Sequence, residues 1–194
     1  MQARDAVVVK VGGGLLPHEG ARSQVLVAVT RAGGQRPVLV VPGGGPFADA
    51  VREVDARMGL SADAAHWMAI LAMDQYAWLL HDRLPGSHLA RTARAARTAV
   101  RTPGVTVLAP FAWLRAADPL PHGWDVTSDS LAAWMTGALG VQQLVLVKPP
   151  GVSGEVALDA AFARSLPVGI HHVVVAADDG SGLAASLGGE VPDP

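Results

Sequence analysis

Short apolar runs alternate with longer helical segments along most of this chain. Five runs rich in valine and leucine have the continuous pattern of strands buried on both faces, at 6–9, 37–41, 105–109, 144–147 and 172–176. The segments between them predict helices at 21–32, 46–58, 62–84, 111–117, 128–139 and 158–165. Strands that alternate with helices in this way predict an α/β fold with a mainly parallel sheet.

The segment 62–84 differs from the other predicted helices because it is apolar nearly all round. Ser61 is positioned to cap its first turn, and Asp63 suits the positive end of its dipole. A helix without a polar face is buried inside the protein or at a subunit interface. We therefore expect this helix to form the contact of a homo-oligomer.

Composition narrows the class of protein further. The chain has 194 residues, a formal net charge of −2 and no cysteine. Its length suits one domain, and the absence of cysteine excludes disulfide scaffolds, iron–sulfur clusters and thiol catalysis. The near-neutral charge argues against a nucleic-acid partner. No apolar run approaches the roughly 20 residues of a membrane span, and no leader precedes the first strand, so we expect a cytoplasmic protein without a membrane partner.

Two glycine triplets follow the first two predicted strands. They are Gly12, Gly13, Gly14 and Gly43, Gly44, Gly45. In a parallel sheet these loops lie at the ligand-binding edge, where bare backbone amides and a helix N-terminus favour an anion. Neither triplet fits the Walker A or the Rossmann dinucleotide pattern. One triplet alone would be read as a tight turn, whereas two at equivalent strand ends favour phosphate binding.

The chain uses arginine for 13 of its 15 basic residues, and its only lysines are Lys10 and Lys148. Each lysine lies at the end of a predicted strand, on the same edge as the glycine triplets. Lysine is a compact point charge suited to a phosphoryl group that moves between donor and acceptor. Asp129 begins a predicted helix and is placed to accept from both ammonium groups. We therefore predict a phosphoryl-transfer site built on Lys10, Asp129 and Lys148.

These motifs resemble the amino acid kinase superfamily. The resemblance is carried by VVVKVGGG at 7–14, VVPGGGP at 40–46 and TSDSLA at 127–132. Longer motifs resemble the aminomethylfuran phosphate kinase branch, namely FADAVR at 47–52, GLS at 59–61, AHWMAILAMDQ at 65–75, DPLPH at 118–122 and WDVTSD at 124–129. The resemblance implies a three-layer αβα sandwich and a small-molecule kinase of methanofuran or methylofuran biosynthesis.

The resemblance also implies roles for individual residues. Lys10, Asp129 and Lys148 would be catalytic. The residues expected to bind phosphate or substrate are Gly12, Gly13, Gly14, Gly43, Gly44, Gly45, Asp49, Arg52, His66, Thr127 and Ser128. Nucleotide binding would fall to Lys10, Gly12, Lys148 and Gly151. ATP would donate the phosphoryl group, with Mg²⁺ held mainly by the nucleotide phosphates and no metal site of the protein's own.

The implied reaction adds the γ-phosphoryl group of ATP to a phosphate monoester that also bears a primary amine. Four aspartates are candidates to bind that amine, and the sequence does not choose among Asp49, Asp55, Asp63 and Asp74. His66 is either a packed histidine or a residue that faces the acceptor. The tryptophans at 67, 78, 113, 124 and 134 are interpreted as core or interface residues, with stacking on a furan ring open to one of them.

Two positions depart from the family pattern. Gly14 stands where serine is usual, and Pro149–Pro150–Gly151–Val152 replaces the usual V-D-G-V after the second lysine. We expect one domain over 1–194, with an acceptor-binding lobe to about 140 and a shortened nucleotide-binding lobe at 141–194. The alternative function is a ligand-binding or nucleotide-binding subunit on the same fold with attenuated catalysis.

Overall fold

A computed structural model describes residues 2–188 of the chain, so the last part of the predicted nucleotide-binding lobe, 189–194, lies outside the described residues. Six strands form one parallel sheet in the order β3-β4-β2-β1-β5-β6. They are β1 Val7–Val11, β2 Pro37–Pro42, β3 His88–Ala90, β4 Gly104–Leu108, β5 Gln143–Lys148 and β6 His171–Ala176. β1 is central, since it pairs with both β2 and β5.

Eight α-helices within the described residues cover both faces of this sheet. They are α1 Glu19–Gly33, α2 Gly45–Met58, α3 Ala62–Arg83, α4 Ala93–Ala99, α5 Phe111–Ala117, α6 Ser128–Ala138, α7 Phe162–Ser165 and α8 Gly180–Ser186. α1 and α8 pack on one face, and α4 and α6 pack on the other. The predicted three-layer αβα sandwich with a parallel central sheet is confirmed.

The alternation of side chains along the central strands divides the core between the two faces. Val7 and Val9 of β1 pack with Val25 and Val29 of α1. Val8 belongs to the opposite core, which lies under α6. β5 alternates in the same way, with its leucines under α6 and its valines toward α1. The central strands β1 and β5 are therefore buried on both sides, which explains why they read as continuous apolar runs.

The structure differs from the sequence prediction at several short elements. β3 was not predicted, because a three-residue edge strand with an exposed first residue carries little periodicity. α4 and α8 were not predicted as helices either. The predicted helix at 158–165 is reduced to α7, because Asp159 turns back to bond the start of α6 instead of extending a helix.

α3 packs on α2 and α5 and on strands β2 and β4, which accounts for most of its apolar surface. Leu71 and Trp78 nevertheless stay exposed, with 55% of Trp78 open to solvent. The predicted oligomer contact on this helix stays a prediction. No helix among residues 2–188 combines the length and hydropathy needed to cross a bilayer.

The start of α3 gives a prediction about stability. The Ser61 hydroxyl accepts a hydrogen bond from the Ala64 amide, as the sequence predicted for an N-cap. We expect Ser61→Ala to lower the free energy of unfolding by about 1 kcal/mol, because that amide loses its partner. Ser61→Asp keeps an acceptor and serves as the control. Urea denaturation measures both variants, and an unchanged Ser61→Ala protein would contradict the assignment of the cap.

Candidate active site

The two lysines reach the same face of the sheet because of strand alternation. Side chains two residues apart in a strand lie on the same face of the sheet. Lys10 therefore lies on the face of Val8 in β1, and Lys148 lies on the face of Leu146 in β5, and both side chains point toward α6. β1 and β5 are neighbours, with Val11 level with Val147. Lys148 therefore stands one position beyond the paired ladder, beside the end of β1. Two ammonium groups meet under the N-terminus of α6.

Asp129 joins the two lysines. Its Oδ1 is 2.7 Å from Lys10 Nζ, and its Oδ2 accepts a hydrogen bond from Lys148 Nζ at 2.6 Å. All three side chains are less than one-tenth exposed. The predicted contact of Asp129 with both ammonium groups is present. The carboxylate fixes the positions of two like charges that would otherwise repel each other.

Burial and charge act on the pKa values of this group in opposite directions. Burial alone would raise the pKa of the Asp129 carboxyl, but the charges of Lys10 and Lys148 and their hydrogen bonds bring it below its usual value. Burial lowers the pKa of Lys148, and the charge of Lys10 lowers it further, while Asp129 opposes the shift. Asp129 therefore stays ionised at neutral pH.

The segment after β5 folds back over this site. The Lys148 ammonium donates a second hydrogen bond, 2.6 Å long, to the Ala157 carbonyl. The Asp159 carboxylate accepts from the backbone amides of Thr127 and Ser130, at 3.0 and 3.1 Å, and from both of their hydroxyls. Asp159 thus orders the first turn of α6, the turn that carries Asp129. The sequence analysis missed Asp159, since no recognisable motif surrounds it.

The two glycine loops pack directly on each other. A Cβ on Gly13 would lie 2.0 Å from the Gly45 nitrogen, and Gly45 has a φ of +54°, which side chains rarely adopt. Neither position accepts a side chain without moving the other loop. Within residues 2–188 the amides of Gly13, Gly14, Gly44 and Gly45 donate to no protein acceptor. These amides border the lysines and are available to an anion.

Three other predicted glycines have a different role. The Gly12 amide donates to the Val147 carbonyl, and the Gly43 amide donates to the Val11 carbonyl. The Gly151 amide donates to Asp178. The expectation that Gly12 offers a free N–H to phosphate is therefore corrected, because that N–H extends the pairing of β1 with β5. None of the three lies in the wall of the cavity described next.

A cavity of about 630 Å³ opens beside the lysines and runs between α2, α3 and the loop before α6. Its wall contains most of the residues predicted for catalysis or substrate binding, namely Lys10, Gly13, Gly14, Gly44, Gly45, Asp49, Arg52, His66, Thr127, Ser128, Asp129 and Lys148. It also contains Asp55, Trp124 and Asp159. Apolar side chains of α3, including Ile70 and Met73, line the middle.

The end of the cavity away from the lysines is built around Trp124. Its indole N–H donates to Asp55 Oδ2 at 2.7 Å, and the Arg52 guanidinium lies 4.7 Å from the ring centroid. Arg52 also donates to Asp49 at 2.7 Å. The loop before α6 is thereby tied to α2. Trp124 was one of five tryptophans that the sequence did not distinguish.

The remaining candidate aspartates lie outside the cavity wall. Asp74 Oδ1 accepts from the Phe111 amide, and burial raises the pKa of its carboxyl. Asp63 contacts Nδ1 of His122, whose Nε2 is 2.8 Å from Asp118. Both aspartates hold structural elements together. Of the four aspartates that the sequence left open, Asp49 and Asp55 face the cavity.

His66 lies in the cavity wall and stacks on His122, with ring centroids 4.2 Å apart. Burial lowers the pKa of the His66 imidazole, and the neighbouring His122 lowers it further. The hydrogen bond to Asp118 raises the pKa of His122, and the bond to Asp63 adds to this, although burial opposes them. The stack therefore pairs a neutral ring in the wall with a more basic ring behind it.

Comparisons with known proteins agree with this fold. A family model described as the amino acid kinase family matches residues 5–153. The [5-(aminomethyl)furan-3-yl]methyl phosphate kinase of Methanocaldococcus jannaschii is 25% identical over 139 residues, or 72% of this chain and 63% of that protein. The match therefore spans less than two thirds of that relative's length.

Two solved structures share the fold. A uridylate kinase from Archaeoglobus fulgidus is 18% identical with a TM-score of 0.72, over 94% of this chain and 96% of that chain. An isopentenyl phosphate kinase is 16% identical with a TM-score of 0.58, over 96% of this chain and 98% of that chain. At these identities the likeness shows the architecture alone.

The two departures from the family pattern touch each other, which gives a prediction. A Cβ on Gly14 would lie 2.9 Å from Pro149 Cγ. We expect Gly14→Ser to cost about 1 kcal/mol of the free energy of unfolding, because the new side chain overpacks against the proline ring. The double variant Gly14→Ser with Pro149→Ala removes the clash and should recover that loss. Equal stability of Gly14→Ser and the parent in urea would refute the coupling.

His122 gives a prediction about pH. Because its pKa in the folded protein is raised above the ordinary 6.5, its two carboxylate contacts stabilise the fold fully below pH 6.5. That contribution is lost as the pH rises through the raised pKa. The difference in the free energy of unfolding between the parent and His122→Gln should therefore shrink from pH 6 to pH 9. A difference that does not change with pH would show that protonation of His122 plays no part.

Proposed function

Because this chain belongs to the amino acid kinase family, as its motifs predicted, we propose that it is an ATP-dependent kinase acting on a small phosphate monoester. The γ-phosphoryl group of ATP is added to the phosphate of the acceptor, and the product is a diphosphate. The observation that carries the proposal is the pair of buried ammonium groups held by Asp129 at one end of the cavity. The unbonded glycine amides border the same end.

The nucleophile of the proposed reaction is a phosphate oxygen of the acceptor. A phosphate monoester has a second pKa of about 6, so it is already ionised near neutral pH and needs no general base. Its oxygen forms a bond to the γ-phosphorus while the bond to the bridging oxygen breaks, and ADP leaves with that electron pair. The protein's contribution is position and charge.

Lys10 and Lys148 supply that charge. The Asp129 and Asp159 carboxylates at this end are taken up by hydrogen bonds with the lysines and with the first turn of α6, so the ammonium N–H groups are the charged donors left for the phosphoryl group. Of the three N–H donors on the Lys148 ammonium, two are used by Asp129 and Ala157, so one is left for a phosphate oxygen. The amides of Gly44 and Gly45 lie at the start of α2, where the helix dipole adds to their attraction for an anion.

Mg²⁺ enters with the nucleotide in this proposal. The ammonium groups of Lys10 and Lys148 and the glycine amides in this wall bind phosphate oxygens and not a cation. Within residues 2–188 no group of three histidine, aspartate or glutamate side chains is placed to hold a metal ion. When bound to ATP, the ion neutralises charge on the transferring phosphate.

The acceptor we propose resembles aminomethylfuran phosphate, in a pathway that makes a methanofuran-type or methylofuran-type cofactor. The support is the kinase of Methanocaldococcus jannaschii, whose name specifies that acceptor and whose sequence matches 72% of this chain. The volume and the apolar lining of the cavity suit a small ring with a phosphate group and a polar group as substituents.

A second candidate is a binding subunit with attenuated catalysis. Pro149 packs against Gly14, and the amide of Gly151 is tied to Asp178. Both features occupy the loop that was expected to meet the nucleotide. In this alternative the acceptor cavity is kept and ATP is bound weakly or not at all.

We also propose that the protein is a homo-oligomer that covers Leu71 and Trp78 of α3. Light scattering at micromolar concentration tests this. A monomer under these conditions would contradict it.

Phosphorus NMR distinguishes the enzyme from the binding subunit. We expect Mg-ATP and aminomethylfuran phosphate to give diphosphate resonances with the parent protein. Lys10→Ala and Lys148→Ala should each slow the reaction by about 100-fold or more, because each removes a charge that stabilises the transition state. Arg31→Ala, which removes an exposed cation outside the cavity wall, is the control.

Two results would contradict this proposal, the first by excluding the reaction and the second by excluding the lysine site. One is the absence of diphosphate together with no protection from thermal unfolding by ATP or ADP, which favours the binding subunit. The other is full activity in both lysine variants, which would place the chemistry elsewhere.

A further inference from the structure

We infer that the end of the cavity around Trp124 is a cation-binding subsite and that Asp55 is the carboxylate that binds the ammonium group of the acceptor. This inference rests on the proposed function, because it assigns the second charged end of the same acceptor. The ligand class is a short zwitterion, with a phosphate at one end and a primary amine at the other.

The cavity is polarised along its length. At the α6 end, the ammonium groups of Lys10 and Lys148 line the cavity, while the carboxylates of Asp129 and Asp159 are occupied by hydrogen bonds, Asp129 with the lysines and Asp159 with Thr127 and Ser130. At the Trp124 end, Asp49 and Arg52 form an ion pair and cancel each other, which leaves Asp55. A ligand with a fixed negative and a fixed positive group complements this arrangement in one direction only.

Asp55 is held by neutral donors. Its Oδ1 accepts from the Leu60 amide at 2.9 Å, and its Oδ2 accepts from the Trp124 indole at 2.7 Å. In the described part of the chain no lysine, arginine or histidine forms an ion pair with Asp55. The carboxylate is therefore fixed in orientation while its charge stays uncompensated. Each oxygen keeps a lone pair for a further donor.

The other acidic side chains are less suited to this role. Asp49 already pairs with Arg52 and is 68% exposed. Asp63 and Asp74 lie outside the cavity wall and hold His122 and the start of α5. His66 does not compete for the site as a second cation, because burial keeps its imidazole neutral by lowering its pKa. Asp55 is the remaining carboxylate on this stretch of wall.

The experiment compares two acceptors that differ at one group. One is [5-(aminomethyl)furan-3-yl]methyl phosphate, and the other carries a hydroxymethyl group in place of the aminomethyl group. We expect the parent protein to prefer the amine by about 10- to 100-fold in kcat/KM, the range of a charge-assisted hydrogen bond. Asp55→Asn should lose most of the activity on the amine and change the activity on the alcohol by less than about threefold, so that the preference disappears.

Three variants complete the design. Glu53→Gln removes an exposed carboxylate from the same helix, where it contacts Arg57, and should leave both activities unchanged. Trp124→Phe removes the indole N–H that orients Asp55 and keeps an aromatic ring, although a smaller one, near Arg52, and it should weaken the preference for the amine. It replaces Asp55→Asn if that variant does not fold. Asp49→Asn leaves Arg52 unpaired at the same end of the cavity and should also weaken the preference for the amine, because an uncompensated cation then repels the ammonium group.

The outcomes separate this inference from the proposed reaction. If Asp55→Asn keeps the parent's preference, or loses both acceptors equally, the cation subsite is wrong while the kinase stands. If no diphosphate forms, calorimetric binding of the two acceptors without ATP decides. Tighter binding of the amine that Asp55→Asn abolishes supports the subsite and leaves the reaction refuted. Equal binding of the two acceptors, or binding of neither, overturns the subsite as well.

Discussion

The contact on which the site depends is the double ion pair at Asp129. Two ammonium groups are brought side by side where water has little access, and like charges in that position repel each other strongly. A single carboxylate between them reduces the repulsion and determines where each nitrogen stands. The neighbouring structure serves this contact, since Asp159 orders the turn that carries Asp129. The alternation of side chains along β1 and β5 then places both lysines on the face of the sheet where Asp129 lies.

The two glycine loops also depend on a close contact. Gly13 and Gly45 touch at a distance that no side chain permits, so two strand ends are brought close enough for their amides to face one anion. The amide of Gly12 is used differently, to continue the ladder between β1 and β5. One triplet thus contains both a structural amide and amides left free for a ligand. Glycine occurs in both roles, so the residue type alone does not distinguish them. The direction in which each N–H points distinguishes them.

Much of the fold followed from the sequence because the four inner strands of the sheet are buried on both faces. Continuous valine and leucine runs marked five of the six strands, and the missing one is a three-residue edge strand. The contact of Asp129 with both lysines was predicted because two strand ends and one helix start meet at one edge of the sheet. Asp159 and Trp124 escaped prediction for the opposite reason. Both residues lie in loops that fold over the cavity, and the conformation of a loop leaves no periodic pattern in the sequence from which it could be predicted.

The scarcity of lysine has a practical consequence for chemical labelling. Both lysines of the chain are in the Asp129 contact, and their side chains are 6% and 9% exposed. A reagent that acylates lysine side chains therefore finds no target on the outer surface of the folded protein. Any lysine acylation reports that this one place has opened. The chain thus carries a built-in probe of motion at the Asp129 contact, readable by mass spectrometry without the introduction of a foreign residue.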